Sequence, residues 1–302
     1  ARVKYFRFDS TLQSEDNYYH FFNSNIFNKR RAKFETVSSL TVSSSNTIII
    51  LLTDFQFNDQ QSYLETVRFF QREILNGKYI KIFSAKPDFY VTIFPQFIKS
   101  DRFHSSNARP LYAIIIGERK HYNFIELFLQ KVLPWENSIT LSNEIPAQAR
   151  IVRSNAQVMS KSSHLLIPSK DSLNFKFRII CSSISEWGDL TKNEIYSELY
   201  DFKDSVLALL ENEHLNVRNI KTVHDTCTIT FFIKEINPTP PKIIRILLRP
   251  QKIPYWISKQ TCDPNGDQAR KTVKLQNFIK DVISNVSNPF TLTTFYIVLE
   301  ED

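Results

Sequence analysis

Apolar residues are distributed differently in the two halves of this chain. In the first half they gather in short unbroken runs. Thr47-Ile48-Ile49-Ile50-Leu51-Leu52-Thr53-Asp54 is a continuous β-branched and leucine run that closes on a polar pair. A strand apolar on both faces predicts a central position in a parallel sheet covered by helices on each side. Asp59 to Leu75 follows with Tyr63, Leu64, Val67, Phe70 and Ile74 at helical spacing, and Asn76-Gly77 supplies the stop. Tyr79 to Ser84 predicts the next strand and Tyr90 to Phe94 another. Leu111 to Ile116 is a second doubly apolar strand, and Tyr122 to Leu133 predicts an amphipathic helix closed by Pro134. Before these lie Val3 to Phe8, read as a short strand, and Lys33 to Leu40, read as a short helix. This order predicts an α/β fold: an open, mostly parallel sheet with helices on both faces. Ligands of such sheets bind beyond the strand C-termini, which here are Asp9-Ser10, Thr53-Asp54, Ser84 and Gly117-Glu118.

In the second half the pattern turns to alternation. Phe175, Phe177 and Ile179 alternate with Lys176 and Arg178, which is the mark of a half-buried strand. Glu194 to Leu210 reads as a helix. Cys227 to Ile236 and Ile243 to Leu248 read as two strands joined hairpin-like through Asn237-Pro238-Thr239-Pro240-Pro241. Lys271 to Val286 predicts a helix and Thr294 to Leu299 a last strand. The expected organisation is an α/β domain over 1–135, a connector over 136–162 and an α+β domain over 163–302.

Composition narrows the chemistry. Glycine occurs at only four positions, Gly77, Gly117, Gly188 and Gly266. No clustered-glycine phosphate loop, dinucleotide turn or serine-hydrolase elbow can be built from them. The three cysteines, Cys181, Cys227 and Cys262, form no C-x-x-C pair, so neither a disulfide framework nor a zinc site follows. His224-Asp225 beside Cys227 is the nearest approach to a catalytic pair, and adjacent strand residues point to opposite faces. No apolar run reaches the 18 to 20 residues, roughly, of a membrane span. Nothing at the start of the chain reads as a signal segment, which favours a cytoplasmic location with an upstream signal left open. Net charge is +7 with a pI near 9.2, and basic runs stand at 28–33 and 117–120. Tyr255-Trp256 with Arg249 and Lys252 offers a base-stacking alternative to a half-buried aromatic pair.

The run IIILLTDFQF, ending in Thr53-Asp54, resembles the central strand of a von Willebrand factor A domain. VKYFRFDS, AKFETVSSL and RPLYAIIIGERKHYNFIELFLQKVL supply the context, over about residues 1 to 134. The resemblance is closest to bacterial members carrying a second β-rich domain. It implies a metal-ion-dependent adhesion site in which Asp54 and Thr36 hold Mg²⁺. Thr41 is the rival of Thr36, and Glu118 lies at a further strand end. The family's Asp-x-Ser-x-Ser run is not matched at Asp9-Ser10-Thr11-Leu12-Gln13. Val3 to Phe8 is therefore read as the family's second strand, with the first one upstream.

The expected function is non-catalytic: a protein-binding or scaffolding protein within a multi-subunit assembly, Mg²⁺-dependent only if that first strand exists. The alternative is a basic nucleic-acid-associated subunit of a larger assembly. No nucleophile, base and orienter can be brought together from these residues.

Overall fold

The computed structural model describes residues 5–8, 12–15, 47–53, 55, 57, 60–85, 91–93, 103–105, 110–121, 137–142, 147–158, 164–167, 172–181, 183–188, 190–203, 206–210, 215–262, 272–286 and 291–301. In chain order the strands are β1 (Tyr5–Phe8), β2 (Leu12–Glu15), β3 (Ile49–Thr53), β4 (Lys78–Ala85), β5 (Val91–Ile93), β6 (Phe103–Ser105), β7 (Leu111–Glu118) and β8 (Asn137–Leu141). Then come β9 (Gln148–Ser154), β10 (Gln157–Val158), β11 (His164–Ile167), β12 (Leu173–Ile180), β13 (Ile195–Lys203) and β14 (Val206–Leu209). They are followed by β15 (Leu215–Val223), β16 (Thr226–Ile233), β17 (Lys242–Leu248), β18 (Thr261–Cys262), β19 (Thr272–Val273) and β20 (Thr293–Glu301). The α-helices are α1 (Gln60–Leu75), α2 (Ile184–Trp187), α3 (Tyr255–Gln260) and α4 (Leu275–Val286). They fold as two compact units, one from residues 1–141 and 255–286, the other from 142–254 and 287–302.

The first unit is built on a four-stranded sheet in the order β3-β7-β4-β8. Every neighbouring pair in it is antiparallel. The expected open parallel α/β sheet of von Willebrand A type is therefore not the fold. The apolar runs misled for separable reasons. β7 has both faces buried from Tyr112 to Gly117, so an antiparallel strand covered on both sides reads like a parallel one. β3 sits at the edge of this sheet, and its Ile50 and Leu52 are 52% and 50% exposed. Its alternation was hidden because the exposed positions are apolar too.

Helix α1 forms where the spacing predicted it, and it turns Tyr63, Val67, Phe70 and Ile74 inward. Leu64, assigned to the same stripe, is exposed. Helix α4 packs on α1 within this unit. Its Phe278 stands among Phe55, Phe70 and Phe57 at centroid distances of 5.0, 5.3 and 5.5 Å. The edge-to-face packing of Phe278 with Phe55 and Phe70 adds stabilisation beyond the area buried. Behind the rings, Gln260 on α3 accepts hydrogen bonds from Ser84 at 2.7 Å and Tyr112 at 3.2 Å, so the polar groups on this sheet face are satisfied.

The second unit is a sandwich of two sheets. One has six strands in the order β10-β11-β20-β17-β13-β14, and the other has four in the order β15-β16-β12-β9. In the four-stranded sheet, Leu173, Phe175, Phe177 and Ile179 of β12 are buried beside Cys227, Ile229, Phe231 and Ile233 of β16. Phe177 meets Phe295 of the six-stranded sheet at 5.6 Å, which identifies the inner faces. Glu194 to Leu210, expected as a helix, instead forms a short 3-10 turn at 192–194 followed by β13 and β14. Ile195 and Leu199 are four apart but also two strand periods apart, and pairing of β13 with β17 decides between the readings. The strands β16 and β17 belong to different sheets, so their proline-rich connection is a crossing between layers and not a hairpin. Residues 136–162, read as a connector, contain β8, β9 and β10.

Phe278→Ala removes the ring on which the cluster of the first unit converges. It should cost about 3–5 kcal/mol, read as a lowered urea midpoint with an unchanged slope. A midpoint equal to wild type would show that the ring does not hold the unit together.

Candidate functional site

Asp54 and Thr36, implied in a metal site, and Thr41, the rival of Thr36, lie outside the described residues, as does Asp9. Glu118, expected at a ligand-binding strand end, is described and lies at the opposite end of the sheet from Thr53. Because β7 runs antiparallel to β3, Thr53 pairs with Tyr112 while Glu118 lies past Ile116, which pairs with Ile49. Glu118 is thus six residues, about 20 Å, from the strand end that carries Asp54. Its carboxylate pairs with Lys120 at 3.0 Å. Among the described residues no three His, Cys, Asp or Glu side chains come together to hold a metal ion.

The other sequence candidates also separate. His224 and Asp225 form the turn between β15 and β16, where Asp225 accepts a 2.7 Å hydrogen bond from Ser185. Cys227 points inward from β16 and is fully buried, and burial pushes its thiol up to about 11. Cys181 is raised to about 11 for the same reason. Neither is an accessible thiolate at neutral pH. Tyr255 is 76% exposed with Lys259 over its ring at 5.8 Å, whereas Arg249 lies over Tyr196 at 4.8 Å.

A cavity of about 260 Å³ in the first unit is lined by Gln60, Tyr63, Lys274, Asn277, Lys280 and Asp281. Its Tyr63 hydroxyl donates to the Asp281 carboxylate. Burial, then this bond and the charge of Asp281, raise the phenol above its ordinary range. Tyr63 is therefore a fixed proton donor there and not a base.

Charge is arranged differently on the second unit. The four strands β9, β12, β15 and β16 contain Arg150, Arg153, Lys176, Arg178, Arg218 and Lys221 and not one Asp or Glu. The inner face of this sheet is filled with apolar side chains, so the cations stand on the outer face with Thr226, Thr228, Thr230 and Phe232 of β16 among them. Across the sheet, Arg150, Arg178, Thr228 and Lys221 form one row of register partners, and Arg153, Lys176, Thr230 and Asn219 form the next. Among the described residues no carboxylate pairs with any of the six cations. The Nε of Arg178 is buried without an acceptor among the described residues. The six-stranded sheet differs in this respect: Arg245 meets Glu198 at 3.2 Å and Lys242 meets Asp201.

Two β-bulges build this face. In β9 the register steps from Ile151 opposite Phe177 to Arg153 opposite Lys176, which leaves Val152 as the extra residue. Without that step alternation would turn Arg153 inward. In β15 the step leaves Arg218 extra, between Val217 opposite Phe231 and Asn219 opposite Thr230. The step turns Lys221 outward and lets Arg218 lie over the Phe232 ring at 3.6 Å. Bulges re-aim side chains at sheet edges and beside functional sites. Here each one adds a cation to a surface already cationic. The costs are visible in the register, because Arg178 stands directly opposite Arg150 and Lys176 directly opposite Arg153, and like charges so placed destabilise a sheet.

Sequence reasoning passed over these residues. Lys176 and Arg178 were seen only as the polar half of an alternation, and the basic runs it singled out were 28–33, outside the described residues, and 117–120, where Glu118 neutralises Lys120. The available signal was the absence of acidic residues from 148–154, 173–180, 215–223 and 226–233.

No protein-family model matches the chain, and no curated protein matches it. A similar solved structure is the crystal structure of Dpr2 Ig1-Ig2 in complex with DIP-Theta Ig1-Ig3, at 7% identity and a TM-score of 0.20, with 58% of this chain and 50% of that chain covered. This chain thus spans about half the length of that one. A likeness at that TM-score carries no argument about fold or partner. Among the described residues no helix is long and apolar enough to cross a membrane.

Neutralising one member of each opposed pair, Arg150→Gln with Lys176→Gln, should stabilise the protein at low salt by about 0.2–1 kcal/mol per pair. The gain should fade near 1 M salt, where the Debye length is about 3 Å. Thermal unfolding at the two ionic strengths reads this directly, and a loss of stability at low salt would mean that the cations have partners in the folded chain.

Proposed function

We propose that this chain is a non-catalytic nucleic-acid-binding protein whose contact surface is the outer face of the four-stranded sheet. One observation carries the reading: like charges are set opposite one another in Arg150–Arg178 and Arg153–Lys176, with no acidic residue in the four strands. A fold that keeps such pairs sacrifices stability that a polyanion restores. Phosphate oxygens are contacted by Arg and Lys and by the Thr and Asn side chains that make up the remainder of this face. An acidic protein would satisfy the charges equally well, but it has less use for the lane of Thr226, Thr228 and Thr230 hydroxyls between the cations of β12 and β15. The net charge of +7 acts in the same direction by raising encounter rates with anionic partners.

A protein partner is the second reading. What favours it is the outer face of the six-stranded sheet, where Tyr296 and Phe202 are 54% and 43% exposed near the Glu198–Arg245 pair. Tyr and Arg are the side chains that dominate the centres of protein interfaces. Mg²⁺ finds support in neither reading, since its residues rested on the von Willebrand A resemblance.

Fluorescence anisotropy with a labelled oligonucleotide tests the first reading. Affinity should fall with salt at a log–log slope of about −4 for a single strand, from about −0.7 per neutralised phosphate over six cations. The variant carrying Arg150→Gln, Arg153→Gln, Lys176→Gln and Arg178→Gln should flatten that slope to about −1.5 on the same basis. A slope unchanged in this variant places the phosphates elsewhere. For the second reading, Tyr296→Ser with Phe202→Ser should leave oligonucleotide affinity at the wild-type value, and a weakened oligonucleotide complex would merge the two surfaces into one.

A further inference from the structure

The Arg218–Phe232 pair is more specific than a phosphate contact requires. We infer that it is a base-stacking platform and that the nucleic acid it serves is single-stranded. The inference rests on the reading of the basic face given above. Arg218 is the extra residue of the β15 bulge, and its guanidinium carbon lies 3.6 Å from the centre of the Phe232 ring. That is van der Waals contact, and it favours a guanidinium lying flat on the ring over one standing on edge. One plane of the guanidinium is then covered by Phe232. The side chain remains exposed, so the other plane faces solvent. Unpaired bases stack on arginine planes as they do on aromatic rings.

What surrounds the platform suits a base better than a phosphate. The register partners of Phe232 are Asn174 on β12 and Asn216 on β15, both exposed. Each amide offers two donors and an acceptor, the complement of a base edge. Cations return one residue pair further along, where Lys176 stands opposite Thr230 and beside Arg153. Two strand residues span about 7 Å, so a nucleotide stacked on Arg218 carries its neighbouring phosphate onto Lys176.

A duplex cannot use this platform. Four strands side by side measure about 14 Å across, wider than the roughly 12 Å major groove or 6 Å minor groove of B-form DNA. The base edges of a duplex stay out of reach and its bases stay stacked on one another. Only its phosphates can touch the face.

The test uses the whole chain, a labelled single-stranded oligonucleotide, a blunt duplex of the same length, and poly-glutamate. Arg218→Lys keeps the charge and removes the plane, and Phe232→Leu keeps an apolar side chain on the strand and removes the support beneath the guanidinium. The single strand should bind at least about tenfold more tightly than the duplex. Arg218→Lys should remove most of that preference while leaving duplex affinity and both salt slopes at wild-type values. Phe232→Leu should do the same in protein whose thermal unfolding matches wild type. Equal affinity for the two nucleic acids, or an equal loss for both on Arg218→Lys, would make Arg218 a plain phosphate contact and overturn the platform while leaving the basic face intact. Poly-glutamate bound as tightly as the single strand would assign the face to acidic proteins and overturn the inference. Failure of wild type to bind either oligonucleotide would overturn the underlying reading itself.

Discussion

Burial of one face of β12 and β16 holds the second unit in register. Phe175 and Phe231 stack at a centroid distance of 5.1 Å, and Phe177, Ile179, Cys227 and Ile229 line the same inner surface. Side chains of a strand alternate with a strict period of two, so a slip of one residue would carry all of these to solvent. The same slip would drive Lys176 and Arg178 into the apolar interior, where an unpaired charge is far more costly than an exposed ring. Core and basic face are therefore a single constraint seen from two sides. The interior specifies which way every cation points, and the charge of the cations penalises every other register.

The two sheets of this unit treat charge in opposite ways. On the six-stranded sheet Arg245 lies beside Glu198 and Lys242 beside Asp201, each on the adjoining strand. Tyr200 adds a 2.8 Å hydrogen bond to the same Glu198 carboxylate. On the four-stranded sheet the neighbours of cations are cations, hydroxyls or, for Arg218, the Phe232 ring. Repulsion among exposed charges is weak in water and weaker in salt, so the sandwich tolerates it. On the proposed reading, a ligand that brings negative charge would relieve this repulsion without a preformed cavity.

Much of the local structure was legible in the sequence. The helix at 60–75, the alternation in 173–180 and the final strand all follow from periodicity, because in each the apolar residues that are buried keep the period of their element. Strand direction was not legible. An antiparallel strand covered on both faces, such as β7, carries the same run of apolar residues as a parallel one, and the von Willebrand A resemblance followed that ambiguity. The basic face was invisible for a different reason. Arg150 and Arg153 are three apart, and Arg218 and Lys221 are three apart, so a period of two assigns the members of each pair to opposite faces. Only the bulges at Val152 and Arg218 bring them together, and a bulge leaves no mark in an apolar pattern. The sites suggested by Asp54, Thr36 and Thr41 lie outside the described residues, while Glu118 was chosen by a rule for parallel sheets that this sheet does not obey.

Neither unit is made from one continuous stretch of chain. Residues 255–286 leave the sandwich to complete the first unit, and the chain then returns to place β20 between β11 and β17 in the six-stranded sheet. On the ribosome this sets an order of events. When β17 has emerged, the six-stranded sheet still lacks an inner strand, and two open edges rich in isoleucine and leucine await it. About fifty further residues must be made before β20 arrives, several seconds at ordinary rates of synthesis. During that interval the sandwich is a gapped sheet with unpaired edges, the kind of surface that other chains join. The segment that fills the gap is thus made only after 255–286 of the first unit, and its synthesis is the step that closes the sheet.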